Sequence, residues 1–131
     1  MELTKSNYRT VMLIEDNAID LFIAEEIIKK NNFAESIITY KCALQAFHYI
    51  QSIKENTDLP NVIFTDINLG ESSGFKFIDL FMTLPKSKTD LIKIFVVSST
   101  VDPRDFEKIK SYNIKIGFKE KYIDQDFLNS I

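Results

Sequence analysis

The chain has a single cysteine, Cys42, among 131 residues, so no internal disulfide can form. A reducing cytoplasm is the simplest compartment for such a chain, with Cys42 expected as a small buried residue. No apolar run approaches the roughly 18 residues of a membrane span, and Met1 to Arg9 lack the apolar stretch of a signal peptide. The net charge is only -3, which gives no overall electrostatic attraction to nucleic acid or to an anionic membrane. One histidine, His48, follows Phe47 in a helical pattern and is expected at the surface without a chemical role. Internal repeats, low-complexity tracts and interdomain linkers are also missing. Apolar residues nevertheless make up 45% of the chain, enough to build a core for one domain.

What is present is an alternation of short apolar runs with segments of helical period. Thr10 to Ile14 reads as a strand buried on both faces. Asn17 is placed to cap a helix with Leu21, Ala24, Ile27 and Ile28 on its apolar face, and Asn31-Asn32 ends it. Ser36 to Tyr40 is a second, less buried strand, followed by a helix carrying Ala43, Ala46, Phe47, Ile50 and Ile53. A polar loop, Lys54 to Asn61, precedes the third strand, Val62 to Thr65. The loop Asp66 to Ser73 leads to a helix with Phe75, Ile78, Phe81 and Met82, and Pro85 to Lys88 is a turn. Ile92 to Val97 is the fourth strand. Asp102 caps the next helix with Pro103 at its first position, where a missing N–H costs nothing. Phe106 and Ile109 of that helix point inward. Ile114 to Phe118 is the fifth strand, and Asp124 caps a last short helix with Ile123 and Leu128 as a hydrophobic staple. The chain would end within that helix, with no further domain attached. Five strands alternating with five helices predict an α/β fold. It is a flavodoxin-like, doubly wound parallel sheet of order 2-1-3-4-5 with helices on both faces.

In such a sheet the active site lies beyond the C-terminal strand ends. There the sequence places Glu15-Asp16 after strand one, Asp66 after strand three, Ser98 after strand four and Lys121 after strand five. Three neighbouring carboxylates repel one another unless a cation intervenes. Mg²⁺ takes hard oxygen ligands, and the predicted set is Asp16 and Asp66 directly, Glu15 mainly through water, and the backbone carbonyl of Asn68. A carboxylate can also attack a phosphoryl group to form a mixed anhydride. Asp66 is the predicted acceptor, with Lys121 pairing one phosphoryl oxygen as a point charge and the Ser98 hydroxyl donating to another.

On these residues the chain resembles the receiver domains of bacterial two-component response regulators, the group that includes the chemotaxis response regulator. The resemblance covers residues 10–131 as the receiver domain, after a polar N-terminal tail of residues 1–9. It puts the acidic pair on Glu15-Asp16, the phosphoacceptor on Asp66 followed by Gly74, the hydroxyl residue on Ser98 and the lysine on Lys121. The aromatic switch residue falls on Phe118. The segment Ser98 to Asp105 further resembles single-domain receivers with a Pro-x-Asp sequence there. The resemblance implies a cytoplasmic phosphorelay protein that uses Mg²⁺ and catalyses only its own phosphorylation and dephosphorylation. A histidine kinase or phosphotransfer protein would supply the phosphoryl group. A downstream protein would read the face of helix four, strand five and helix five, where Lys108, Lys110, Lys115 and Lys119 lie. Asn68 and Thr100 would tune dephosphorylation.

Two positions depart from that pattern. Tyr122 follows Lys121 where the family has a cis proline; a trans bond is expected here, with Lys119 as the alternative lysine. Gly70 stands where the family prefers proline and is expected to loosen the loop beside Asp66. Two other functions stay open: a phosphate-independent interaction module of the same fold, and an aspartate-nucleophile phosphatase of the haloacid dehalogenase type. The latter wants an acid two residues after the nucleophile, where this chain has Asn68. Flavin binding in the manner of flavodoxin is disfavoured by Glu15-Asp16-Asn17 in place of a Ser/Thr/Gly-rich loop.

Overall fold

A computed structural model describes residues 6–70, 72–100 and 102–131. Residues 1–5 of the tail 1–9, Glu71 and Val101 lie outside the described residues. Strand β1 (Tyr8–Ile14) leads to α1 (Ala18–Lys30), β2 (Ala34–Tyr40) and α2 (Ala43–Ser52). A 3₁₀ turn at Asn56–Asp58 precedes β3 (Val62–Asp66), followed by a small hairpin of β4 (Asn68–Leu69) and β5 (Ser72–Ser73). Then come α3 (Gly74–Phe81), the short α4 (Lys86–Thr89), β6 (Lys93–Ser98), α5 (Pro103–Ser111), β7 (Ile116–Glu120) and α6 (Gln125–Asn129). The main sheet is parallel and runs β2-β1-β3-β6-β7. This is the 2-1-3-4-5 order, with the hairpin strands adding two to the later numbers.

Alternation along the strands feeds two separate cores. Met12, Ile14, Ile63, Ile94 and Val96 face one way and meet α2, α3 and α5 through Ala46, Ile50, Phe77 and Ile109. Val11, Leu13, Val62 and Phe64 face the other way and meet α1 and α6 through Ile28 and Leu128. Burying an aliphatic or aromatic side chain is worth about 1.5–3 kcal/mol, so fully buried Phe77, Ile28 and Leu128 anchor their helices strongly.

The local signals act as their chemistry predicts. Asn17 Oδ1 accepts from Asp20 N at 2.9 Å, and Asp124 Oδ1 accepts from Phe127 N at 2.8 Å. Asp102 Oδ1 accepts from Arg104 N at 2.9 Å, with Pro103 opening α5. Asn31 caps the end of α1, and Asn32 then takes the left-handed conformation that asparagine tolerates.

Several expectations need correcting. The Pro85 to Lys88 turn contains a helical turn, α4, and the loop after Asp66 contains a paired hairpin. β1 starts at Tyr8, inside the nine-residue tail, because Tyr8 pairs with Ala34. The last strand runs from Ile116 rather than Ile114 and extends through Lys119 and Glu120, which pair with Val97 and Ser98. Apolar character marks burial, whereas ladder pairing sets where a strand ends. Cys42 is half-buried at the start of α2, outside the core. No helix among the described residues is long and apolar enough to cross a membrane.

Candidate functional site

β1, β3, β6 and β7 end side by side, and each delivers a polar residue to the same edge. Asp66 is the last residue of β3 and is buried. Its Oδ1 accepts from Asn68 N at 3.1 Å, and its Oδ2 accepts from the Lys121 ammonium at 2.7 Å. The carboxylate is thereby fixed from both sides. Behind it stands Gly74, at the start of α3. A β-carbon there would overlap the backbone carbonyl of Asp66, so only glycine lets α3 begin this close. Gly74 N also donates to Ile67 O at 2.8 Å, closing the loop. The Ser73 hydroxyl caps α3 by accepting from Lys76 N at 3.2 Å.

Glu15 and Asp16 follow β1, but the structure gives them different surroundings. Glu15 is buried; its Oε1 lies 2.7 Å from the Lys121 ammonium and its Oε2 accepts from Asn17 N at 3.3 Å. Burial in an apolar setting pushes the Glu15 carboxyl up to about 7, reinforced by Asp66 and opposed by Lys121. Leu13, Phe64, Val97 and Ile123 supply that setting as walls of the pocket. Asp16 is exposed. Its Oδ2 faces Gly70, where an added β-carbon would stand 3.2 Å away. Gly70 has φ +62°, a conformation closed to proline, so glycine meets a demand of the hairpin turn rather than merely loosening the loop.

Lys121 binds three acids at once. Its ammonium lies 2.7 Å from each of Glu15 Oε1, Asp20 Oδ2 and Asp66 Oδ2. Burial would lower its pKa, but the three carboxylates outweigh burial and hold it well above the usual lysine range. Lys119 points elsewhere, with its ammonium 3.9 Å from Asp124. The Lys121–Tyr122 peptide bond is cis, which corrects the expectation of a trans bond. Contacts on both sides of it overrule the local preference: Lys121 N donates to Ser98 O at 2.8 Å, the Lys121 side chain is held by its acids, and the Tyr122 hydroxyl donates to Asp20 Oδ1 at 2.8 Å.

Asp20 is the site residue that the sequence reading missed. It lies in the first turn of α1, where an acid is accounted for by the helix dipole. Only the fold brings it to Lys121, 101 residues later in the chain. The Lys121 hydrogen bond holds its carboxyl below the usual range.

Ser98 is fully buried at the end of β6. Its hydroxyl accepts from Thr100 N at 3.3 Å, so it caps the following turn and is not paired with Asp66. Phe118 is half-buried on β7 and packs edge-on against Phe106 of α5, ring centroids 4.6 Å apart. Of the four lysines of this face, Lys108 lies over the Phe75 ring and Lys119 near Asp124. Asn68 is exposed beside Asp66.

Glu15, Asp16, Asp66 and the Asn68 carbonyl are hard oxygen donors of the kind a small divalent cation takes. Three acids sharing a single ammonium leave negative charge over, which suits a cation. Their present geometry is set by Lys121, and no group of three or more His, Cys, Asp and Glu among the described residues is disposed to hold a metal ion.

No protein-family model matches the chain. Over 111 residues it is 26% identical to the response regulator Rcp1 of Synechocystis sp., spanning 83% of this chain and 73% of that protein. A two-component response regulator from Cytophaga hutchinsonii superposes with a TM-score of 0.84 at 24% identity, covering 96% of this chain and 94% of that one. A response regulator receiver protein from Dyadobacter fermentans superposes with a TM-score of 0.82 at 27% identity, covering 93% of each. The manganese-bound form of Rcp1 superposes with a TM-score of 0.72 at 19% identity, over 93% of this chain and 88% of that one. In fold and along most of its sequence the chain is similar to response regulator receiver domains.

Proposed function

We propose that this chain, with the fold of a response regulator receiver domain, is a phosphoacceptor of a two-component phosphorelay and that Asp66 takes the phosphoryl group. The observation that carries the reading is the Asp66 carboxylate itself, buried at a strand end and held between the Asn68 N–H and the Lys121 ammonium. A carboxylate oxygen of Asp66 attacks the phosphorus of a phosphohistidine or acyl phosphate. The new P–O bond forms as the donor's P–N or P–O bond breaks, and the leaving group departs with that electron pair.

The chain's own residues orient and neutralise. Lys121, already bonded to Asp66, is within reach of an incoming phosphoryl oxygen and pairs with it as a point charge. The Ser98 hydroxyl, which only accepts in its turn-capping bond, donates its own proton to another oxygen. Asp16, Asp66 and the Asn68 carbonyl, with Glu15 acting through water, would hold Mg²⁺, which supplies charge neutralisation for the phosphoryl oxygens. The manganese-bound form of Rcp1 supports divalent-ion binding by a protein of this fold. The phosphoryl group adds roughly 1.5 to 2 negative charges. Movement of Ser98 toward it would free space for Phe118, and the face of α5, β7 and α6 would then report the state to a downstream protein.

The test is incubation with acetyl phosphate and Mg²⁺. One phosphoryl mass should be added to the chain and none to Asp66→Asn. Equal labelling of the Asn variant would remove the assignment. No labelling of the unaltered chain would favour an interaction module that works without phosphate.

A further inference from the structure

We propose that Asp20, braced by the Tyr122 hydroxyl, is a positioning residue that aims the Lys121 ammonium at Asp66 and at the phosphoryl group Asp66 would carry. The inference rests on the phosphoacceptor reading and assigns a role to two residues outside the acceptor, its cation ligands and the lysine.

A lysine has four rotatable side-chain bonds and three N–H donors, so one partner fixes its ammonium poorly. Here each donor has its own carboxylate at 2.7 Å: Glu15, Asp20 and Asp66. Glu15 and Asp20 brace the ammonium, and the third N–H is left to Asp66. Asp20 is itself held at both ends. Its backbone N–H donates to the Asn17 cap at 2.9 Å, and its Oδ1 accepts from the Tyr122 hydroxyl at 2.8 Å while Oδ2 serves Lys121. Tyr122 is half-exposed, so its ring contributes little core packing, and its polar end makes this one bond. The circuit Lys121–Asp20–Tyr122 closes back on the residue next to Lys121, tying the end of β7 to the first turn of α1. When Asp66 becomes phosphorylated, the two braced N–H groups keep their partners and the third shifts to a phosphoryl oxygen. Positioning of this kind contributes to rate because phosphoryl transfer depends mainly on placement and charge.

The experiment measures acetyl phosphate labelling with Mg²⁺ for the unaltered chain, Asp20→Asn and Tyr122→Phe. It is paired with NMR detection of the Lys121 ammonium protons, which exchange slowly only while bonded. Asp20→Asn should slow labelling by about tenfold, the loss expected from one charge-assisted bond, and should erase the ammonium signal. Tyr122→Phe keeps the carboxylate and should slow labelling by about two- to threefold, a smaller loss because the missing bond orients Asp20 and does not touch the ammonium, with a weakened signal. Labelling of Asp20→Asn at the unaltered rate overturns the proposal, and so does slow labelling with the ammonium signal intact. If the unaltered chain takes no label at all, the phosphoacceptor reading itself falls and the proposal with it.

Discussion

Glu15 Oε1 lies 2.7 Å from the Lys121 ammonium, and both side chains are largely withdrawn from water. The attraction does not offset the full cost of burying Glu15, whose carboxyl still titrates about 7 against 4.5 when free. A folded-state pKa above the unfolded value means that the folded chain binds more protons between those two values. This group's contribution to stability is therefore complete below about 4.5 and is lost as pH rises through about 7.

Without divalent ions, urea unfolding midpoints of the unaltered chain should fall across that window, with Glu15 contributing up to about 1.4 kcal/mol per pH unit. Glu15→Gln cannot titrate and should lose that part of the slope, gaining relative stability at pH 8. Parallel pH profiles for the two proteins would contradict the assignment. Asp20 is depressed instead, so its contribution is lost only in stronger acid, below this window.

Replacing Lys121 by methionine leaves Glu15, Asp20 and Asp66 without their shared cation. Breaking a buried ion pair from one side costs about 3–5 kcal/mol, less whatever protonation of Glu15 recovers. Lys121→Met should therefore lose about 3 kcal/mol at pH 8 and less at pH 5 by urea unfolding. Added Mg²⁺ should restore part of the loss. Lys119→Ala removes an ammonium that lies near Asp124 and not near Asp66, and should change labelling little; a labelling defect there would return the role to Lys119.

Features carried by neighbours in sequence are legible in the sequence alone. Asn17, Asp102-Pro103 and Asp124 cap helices through bonds spanning two or three residues, and such signals survive in a linear reading. The strand order followed from the alternation of elements and the handedness of crossovers. Asp20 was not legible, because nothing in the first turn of a helix announces a partner 101 residues away. The cis bond after Lys121 was misread for a related reason: local preference favours trans, while the contacts of Lys121 and Tyr122 are tertiary. The sequence separates Asp16, as a direct ligand, from the longer Glu15, but the ion pair that commits Glu15 to Lys121 is tertiary and adjacency alone does not reveal it.

Gly74 should tolerate no side chain. A β-carbon would run into the Asp66 carbonyl, a backbone atom that cannot swing aside as a side chain would. Gly74→Ala should cost about 1–3 kcal/mol by urea unfolding, the range for overpacked sites. Because relief requires moving Asp66, labelling by acetyl phosphate should fall as well. A stable variant with unchanged labelling would show that the loop shifts without disturbing the acceptor.

The two acids after β1 should separate in a Mg²⁺ titration. Asp16 is exposed beside the hairpin, with its Oδ2 facing Gly70. Glu15 is buried and committed to Lys121 and to Asn17 N. A cation ligated by Glu15 would have to compete with the ammonium, whereas Asp16 can bind with its charge otherwise unspent. Direct ligands contribute more to affinity than groups that orient them, whose loss typically costs 10–100-fold. Asp16→Asn should therefore weaken Mg²⁺ binding more than Glu15→Gln, measured by isothermal titration at pH 8, where Glu15 is mostly ionised. The reverse order would mean that Glu15 leaves Lys121 to bind the ion, and Asp20 would then be left as the main brace of the ammonium.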